Sequence, residues 1–374
     1  MKKPRVIFEE YVMPHYRVPF FERLSKEVEL LVVLSKDKKV DGLHDVKENL
    51  PFASVRLIEE KKGPFHPELI NTIREYKPDV LISFGTALRT YTLDKNTYSA
   101  FKEMGLRTLW MGCDGYMVRN MYVEIIKNLL PWRICREIKD IIAHRKVDGF
   151  ITYSNHTRRY LHITKCVPLK KIFVAQNAID TKILSDAYKE FTKAGNTRGN
   201  NIAFAGRLSE RKRVDILIKA FAEAKIPADI NLLIIGEGSQ EEKLKKLVTE
   251  LNIENRIKFL GPIYKDEDMA KALFDASIFV MPGLGGLGFN TAMAVGLPII
   301  YTHADGTEED ILENGINGWY FNGTVEDLKN KVEIAFSDVE KLPSMGQKSK
   351  NLITNTYNLD NMVKSYMQTI RTLI

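Results

Sequence analysis

The chain has 374 residues, 44% of them hydrophobic and 28% charged, a globular balance long enough for two domains and unlike that of a disordered chain. Its formal net charge of +7 is unevenly placed: residues 1–185 hold 32 Lys and Arg against 22 Asp and Glu, whereas residues 186–374 hold 23 against 26. No stretch approaches the roughly 18–20 apolar residues of a membrane span, and the opening MKKPRVIFEE has too short an apolar run for a signal peptide; Cys113, Cys135 and Cys166 lack the spacing of a disulfide framework or zinc site, so a reducing cytoplasm is the expected location.

Short β-branched apolar runs alternate with helix-length segments along the whole chain. In the first half they predict strands near residues 6–8, 29–34, 79–83, 107–111, 149–153 and 172–175. In the second they predict strands near 202–205, 231–235, 257–260, 278–281, 298–301 and 319–321. Runs that are apolar throughout, such as INLLIIG and GLPIIY, suit strands covered on both faces, as in parallel sheets. Two such series predict an α/β protein with two Rossmann-like, doubly wound domains facing a central cleft. The expected divisions are a first domain at 1–185, a polar linker at 186–199, a second domain at 200–355 and a C-terminal helix at 356–374. That helix carries an apolar stripe (Met362, Val363, Tyr366, Met367, Ile370) and is a candidate to cross back onto the first domain.

Ligands of such folds bind where strand carboxyl ends and helix amino ends meet, because unpaired N–H groups and helix dipoles favour anions there. Four loops of the second half stand out. After the strand at 202–205, Gly206 is followed by Arg207 and Lys212, which flank the start of a helix; two cations so placed suit a diphosphate, or they form a solvated basic helix start. Glu237 and Ser239 follow the strand at 231–235, with Ser239 a natural helix N-cap, and Gly261, Pro262 and Ile263 break the strand at 257–260. The run FVMPGLGGLGFNTAMA places Gly283, Gly285, Gly286, Leu287 and Gly288 between a buried strand and a helix that includes Thr291. Glycines there let backbone N–H groups approach a ligand closely, yet neither a dinucleotide GxGxxG nor a Walker P-loop is present.

The ordered series GRLxxxK, IIGEGSxxxxL, RIKFLGPI, ALFDASIFVMP, the glycine-rich loop, AMAVGLP and ENGINGWYF resembles the donor domain of glycosyltransferase family 4. That resemblance implies the GT-B fold and retaining, nucleotide-sugar-dependent transfer. It implies that Arg207 and Lys212 hold the donor diphosphate, that Gly261 and Ile263 contact the base, that Gly206 and Glu237 belong to the donor site, and that Gly283, Gly286, Leu287, Gly288 and Thr291 cup phosphate and sugar. Most members carry two glutamates eight residues apart across the last loop; here those positions are Gly283 and Thr291. Members also often place a histidine after the fourth strand of the first domain, where this chain has Asp114, a candidate to orient or deprotonate a hydroxyl or else a turn cap. His15, Tyr16 and Arg17, following the first strand, are acceptor-side candidates, Arg17 for a phosphate; a plain surface turn is the competing reading.

Asp266, Glu267 and Asp268 spell a DxD, but acidic residues also favour a helix start, and no metal or other cofactor is expected. Residues 122–147 combine Ile, Leu and Trp with a dense set of basic residues, which fits either an anionic membrane surface or a core-facing helix with a basic outer face. The expected activity is transfer of a hexose from a UDP- or GDP-sugar to a glycan or polyprenyl-diphosphate-linked acceptor in cell-surface polysaccharide synthesis, peripheral to the inner face of the plasma membrane. A non-catalytic binding module and a nucleotide-sugar epimerase of the same fold are the alternatives. Nucleic acid is not an expected partner, for the basic half lacks a reader motif.

Overall fold

The computed structural model describes residues 2–36, 50, 52, 55–58, 67–112 and 121–374. The chain divides into two compact units, Met1–Gln176 with Leu359–Ile374, and Asn177–Asn358. In the first unit the strands are β1 (Arg5–Glu10), β2 (Glu29–Ser35), β3 (Val55–Ile58), β4 (Val80–Phe84), β5 (Arg107–Gly112), β6 (Gly149–Thr152) and β7 (Ile172–Val174). They form one parallel sheet in the order β3-β2-β1-β4-β5-β6-β7. In the second unit β8 (Asn201–Ala205), β9 (Leu232–Ile235), β10 (Ile257–Gly261), β11 (Ala276–Met281), β12 (Ile299–Tyr301) and β13 (Gly318–Tyr320) form a parallel sheet ordered β10-β9-β8-β11-β12-β13. Both sheets reverse their order beside the first strand of the series, the topology that opens a binding crevice at strand carboxyl ends.

Every strand expected from the sequence is present. One was missed: β3, at the sheet edge, pairs with β2 alone and leaves Arg56 and Leu57 exposed. Arg56 bonds Thr72 at 2.9 Å and Glu75 at 2.8 Å. An edge strand half in water has no continuous apolar run to announce it.

Two boundaries differ from the expected ones. The helix Lys182–Lys193 belongs to the second unit rather than to a first domain and linker. Its apolar face carries Leu184, Tyr188 and Phe191, and the latter two rings pack 5.6 and 5.7 Å from Phe274 in the helix Asp266–Phe274. The polar stretch after it is also part of this unit, because Arg198 donates to the carbonyls of Val295 (2.5 Å) and Gly296 (2.7 Å) and lies over the Tyr188 ring. The C-terminal helix Leu359–Leu373 does cross back, and its whole apolar stripe is buried in the first unit. Tyr366 packs on Phe20 and Phe8, and its hydroxyl meets the Met111 sulfur at 3.1 Å.

Candidate functional site

In the second unit, the carboxyl ends of β8, β9 and β10 are laced together by backbone. Gly206 donates to Ile235, Leu208 to Glu237 and Gly236 to Gly261, all at 2.8–2.9 Å. The lacing needs a glycine at 236, where φ is +134° and a Cβ would stand 2.1 Å from the Gly206 carbonyl oxygen. A turn at 210–212 then brings the next loop over this platform, and Leu284 donates to the Arg211 carbonyl at 3.0 Å.

Lys212 joins the two glycine loops. Its Nζ donates to the carbonyls of Leu284 (2.5 Å) and Gly285 (2.9 Å), and a Cβ at position 206 would stand 3.8 Å from it. Burial lowers its pKa to about 8, against the pull of Asp305, and the nearby charges of Arg207 and Arg211 lower it further. Among the described residues no carboxylate lies within ion-pair distance of it. A half-buried amine beside two guanidinium groups, satisfied only by carbonyls, is an electrostatic situation that a bound anion relieves.

Gly283, where the family resemblance leads one to look for a glutamate, leaves no room for any side chain. A Cβ there would meet the carbonyl oxygens of Arg211 at 2.4 Å and Lys212 at 2.9 Å. The loop is thus built on a glycine and is not a glutamate loop with one side chain trimmed. Gly286 donates its N–H to Asp305 Oδ2 at 3.1 Å, and the other oxygen of Asp305 accepts from Thr307. Leu287 and Gly288 open the short helix Gly288–Ala294, in which the Thr291 hydroxyl donates back to the Leu287 carbonyl at 3.3 Å.

The remaining donor-side candidates sit at the rim. Glu237 is exposed and accepts the Tyr264 hydroxyl at 2.7 Å, a bond that raises the Tyr264 pKa. Gly261 spends its carbonyl on Gly236, and Ile263 is half-buried against the core. Ser239 does not cap the next helix; Gln240 holds that position. Asp266, Glu267 and Asp268 form the first turn of their helix.

The first unit corrects one candidate. Arg17 is buried: Nη2 pairs with Glu10 at 2.7 Å and the guanidinium lies 4.9 Å from the Phe20 ring centroid. Burial opposes its charge, but Glu10, together with Tyr153 and Tyr366, outweighs it, so its pKa is raised. It is a buried ion pair and not part of a plain surface turn. His15 is exposed beside Tyr16, their rings edge to face at 5.5 Å. Asp114 lies outside the described residues.

Sequence reasoning missed Asp305 and Glu308. Glu308 is buried after β12, accepts the Ala304 N–H at 2.7 Å, and has a pKa raised by burial. The only signal was the acidic run after His303, which reads equally as a solvated helix start.

Together these features define a two-unit α/β protein of the GT-B fold with a cluster of basic side chains, Lys212 among them, at the carboxyl edge of its second sheet. Residues 188–352 match the sequence family described as glycosyl transferases group 1. Over 159 residues, 41% of each chain, the protein is 27% identical to an N-acetyl-alpha-D-glucosaminyl L-malate synthase of Bacillus anthracis. Over 121 residues, 29% of this chain and 31% of the relative, it is 36% identical to a GDP-mannose-dependent monoacylated alpha-(1-6)-phosphatidylinositol monomannoside mannosyltransferase of Corynebacterium glutamicum. The alignments therefore span less than half the length of these two relatives. Anabaena Alr3699/HepE, solved in complex with UDP, superposes over 100% of both chains with a TM-score of 0.72 at 18% identity, a likeness of fold.

Proposed function

We propose that the protein is a retaining glycosyltransferase of family 4 that binds a UDP- or GDP-sugar at the second unit and transfers a hexose to a glycan or polyprenyl-diphosphate-linked acceptor of cell-surface polysaccharide synthesis. The observation that carries this is Lys212. Its amine is held against the glycine loops without a carboxylate partner, at the sheet edge where nucleotide ligands bind. When the bond from the anomeric carbon to the diphosphate breaks, its electron pair stays on the diphosphate oxygen, and Lys212 with Arg207 stabilises that growing charge. The acceptor hydroxyl oxygen takes the anomeric carbon and its proton is released. Arg211, whose charge also reaches Lys212, adds to the same positive field. The named relatives support the reading: one is GDP-mannose-dependent, and the Anabaena protein was solved with UDP.

The test is a thermal-shift panel of UDP- and GDP-sugars followed by acceptor-dependent nucleotide release. One nucleotide class should raise the melting temperature, since a ligand that binds only the folded chain stabilises it. Lys212→Ala should lower kcat/KM by roughly 100- to 1,000-fold, the scale of one lost oxyanion-type donor. Full turnover in that variant would refute the assignment. A second reading, a binding module without turnover, is favoured by the absence of room for a carboxylate at Gly283. Nucleotide binding with no release from any donor–acceptor pair would establish it instead.

A further inference from the structure

Residues 121–146 form two helices of the first unit, Met121–Asn128 and Pro131–Lys146. A surface helix ordinarily turns its apolar stripe inward and its charges to water. Here the longer helix is reversed. Its buried side chains are Glu137, Asp140, Ala143 and His144. Glu137 accepts from the buried Lys165 ammonium, while Asp140 accepts from Arg89 Nε and lies 3.7 Å from Lys165 Nζ. His144 packs 4.5 Å from the Trp110 ring, and burial lowers its pKa to about 4. These pairs fix the rotation of the helix, since turning the isoleucines inward would strip Lys165 of its counter-charges.

The outward face is therefore apolar. Trp132 is 76% exposed, Tyr122 74%, Ile126 67% and Leu129 65%, with Ile138 and Ile142 exposed about two and three turns beyond Trp132. The exposed charges among them are all basic: Lys127, Arg136, Lys139 and Arg145. The carboxylates of the segment are withdrawn, Glu124 onto Arg133 at 2.6 Å and the other two into the core.

We infer that this face docks on an anionic lipid bilayer, with the apolar side chains entering the interface and the four cations meeting lipid phosphates. Tryptophan and tyrosine favour the membrane–water boundary, and basic residues next to an apolar face select anionic lipid. No helix of the described residues is long and apolar enough to cross a membrane, so the segment lies on the surface. Charge disfavours a second copy as the occupant, because a symmetric pairing would set the same four cations against one another. The inference is independent of the sugar chemistry.

The test is co-sedimentation of the full chain with vesicles of phosphatidylcholine alone or with one quarter phosphatidylglycerol, at physiological salt. The wild type should pellet with the anionic vesicles at least tenfold better than with neutral ones. Trp132→Asp with Ile138→Asp, at exposed positions, should abolish pelleting and leave melting unchanged. Lys127→Gln, Arg136→Gln and Lys139→Gln should each weaken anionic binding roughly fivefold. The inference is overturned if the wild type stays in the supernatant, if the variants pellet as it does, or if sedimentation velocity without lipid shows a dimer that Trp132→Asp with Ile138→Asp dissociates.

Discussion

Lys212 is poised in pKa as well as in place. Its folded pKa near 8 lies below the ordinary 10.5 of a lysine. Between those values the unfolded chain binds the proton and the folded chain does not, so stability rises with pH across about 8 to 10.5. Lys212→Met should remove that rise, as chemical denaturation at pH 8 and pH 10 would show. An anion on the amine pulls the pKa back up. Nucleotide binding at pH 8 should then take up as much as about half a proton, read by titration calorimetry in buffers of different ionisation enthalpy. No uptake would place the diphosphate elsewhere. Gly283→Glu makes a complementary prediction. Because its Cβ would stand 2.4 Å from the Arg211 carbonyl oxygen, a glutamate at this position should lower the melting temperature and weaken nucleotide binding without raising turnover. Lys212 and the glycines were legible because cations after a strand and glycines before a helix are local patterns. Asp305 was not, since its bond to the Gly286 N–H closes between loops 19 residues apart. Arg17 misled for the same reason: only the fold reveals that Glu10 and three phenylalanine rings surround it.

At the scale of elements, period and apolarity identify what is buried on both sides and fail where burial is one-sided or inverted. The core strands were readable; β3 was not, because its middle faces water and its order depends on β2. The helix Pro131–Lys146 is the sharper case. Its composition allowed two orientations, and the buried pairs with Arg89 and Lys165, from helices elsewhere in the chain, select the one with isoleucines outward. Removing Lys165 leaves Glu137 buried without a counter-charge. Lys165→Met should therefore cost about 3–5 kcal/mol in urea unfolding, and Lys165→Met with Glu137→Leu should recover much of that. Equal stability of the single and double variants would mean that the pair does not hold the helix.

For the whole molecule, the chain's return is the organising fact. The first unit is completed only by residues 359–374, and the helix there buries Met362, Tyr366 and Ile370 against it. Each such side chain is worth about 1.5–3 kcal/mol of burial. Ending the chain after Asn358 should then lower the melting of the first unit and spare the second, visible as early amide exchange confined to residues 2–176. Uniform exchange across both units would contradict this. The amino-acid sequence by itself determined the two parallel α/β units, nearly every strand, and the loops that carry cations and glycines, because these follow from short-range periodicity and turn chemistry. Only the tertiary structure decided the fate of Arg17, the lack of room at Gly283, the partner of Gly286 and the outward face of residues 121–146. Each of these depends on which distant carbonyl, carboxylate or ring fills the neighbouring space, and no local pattern encodes that.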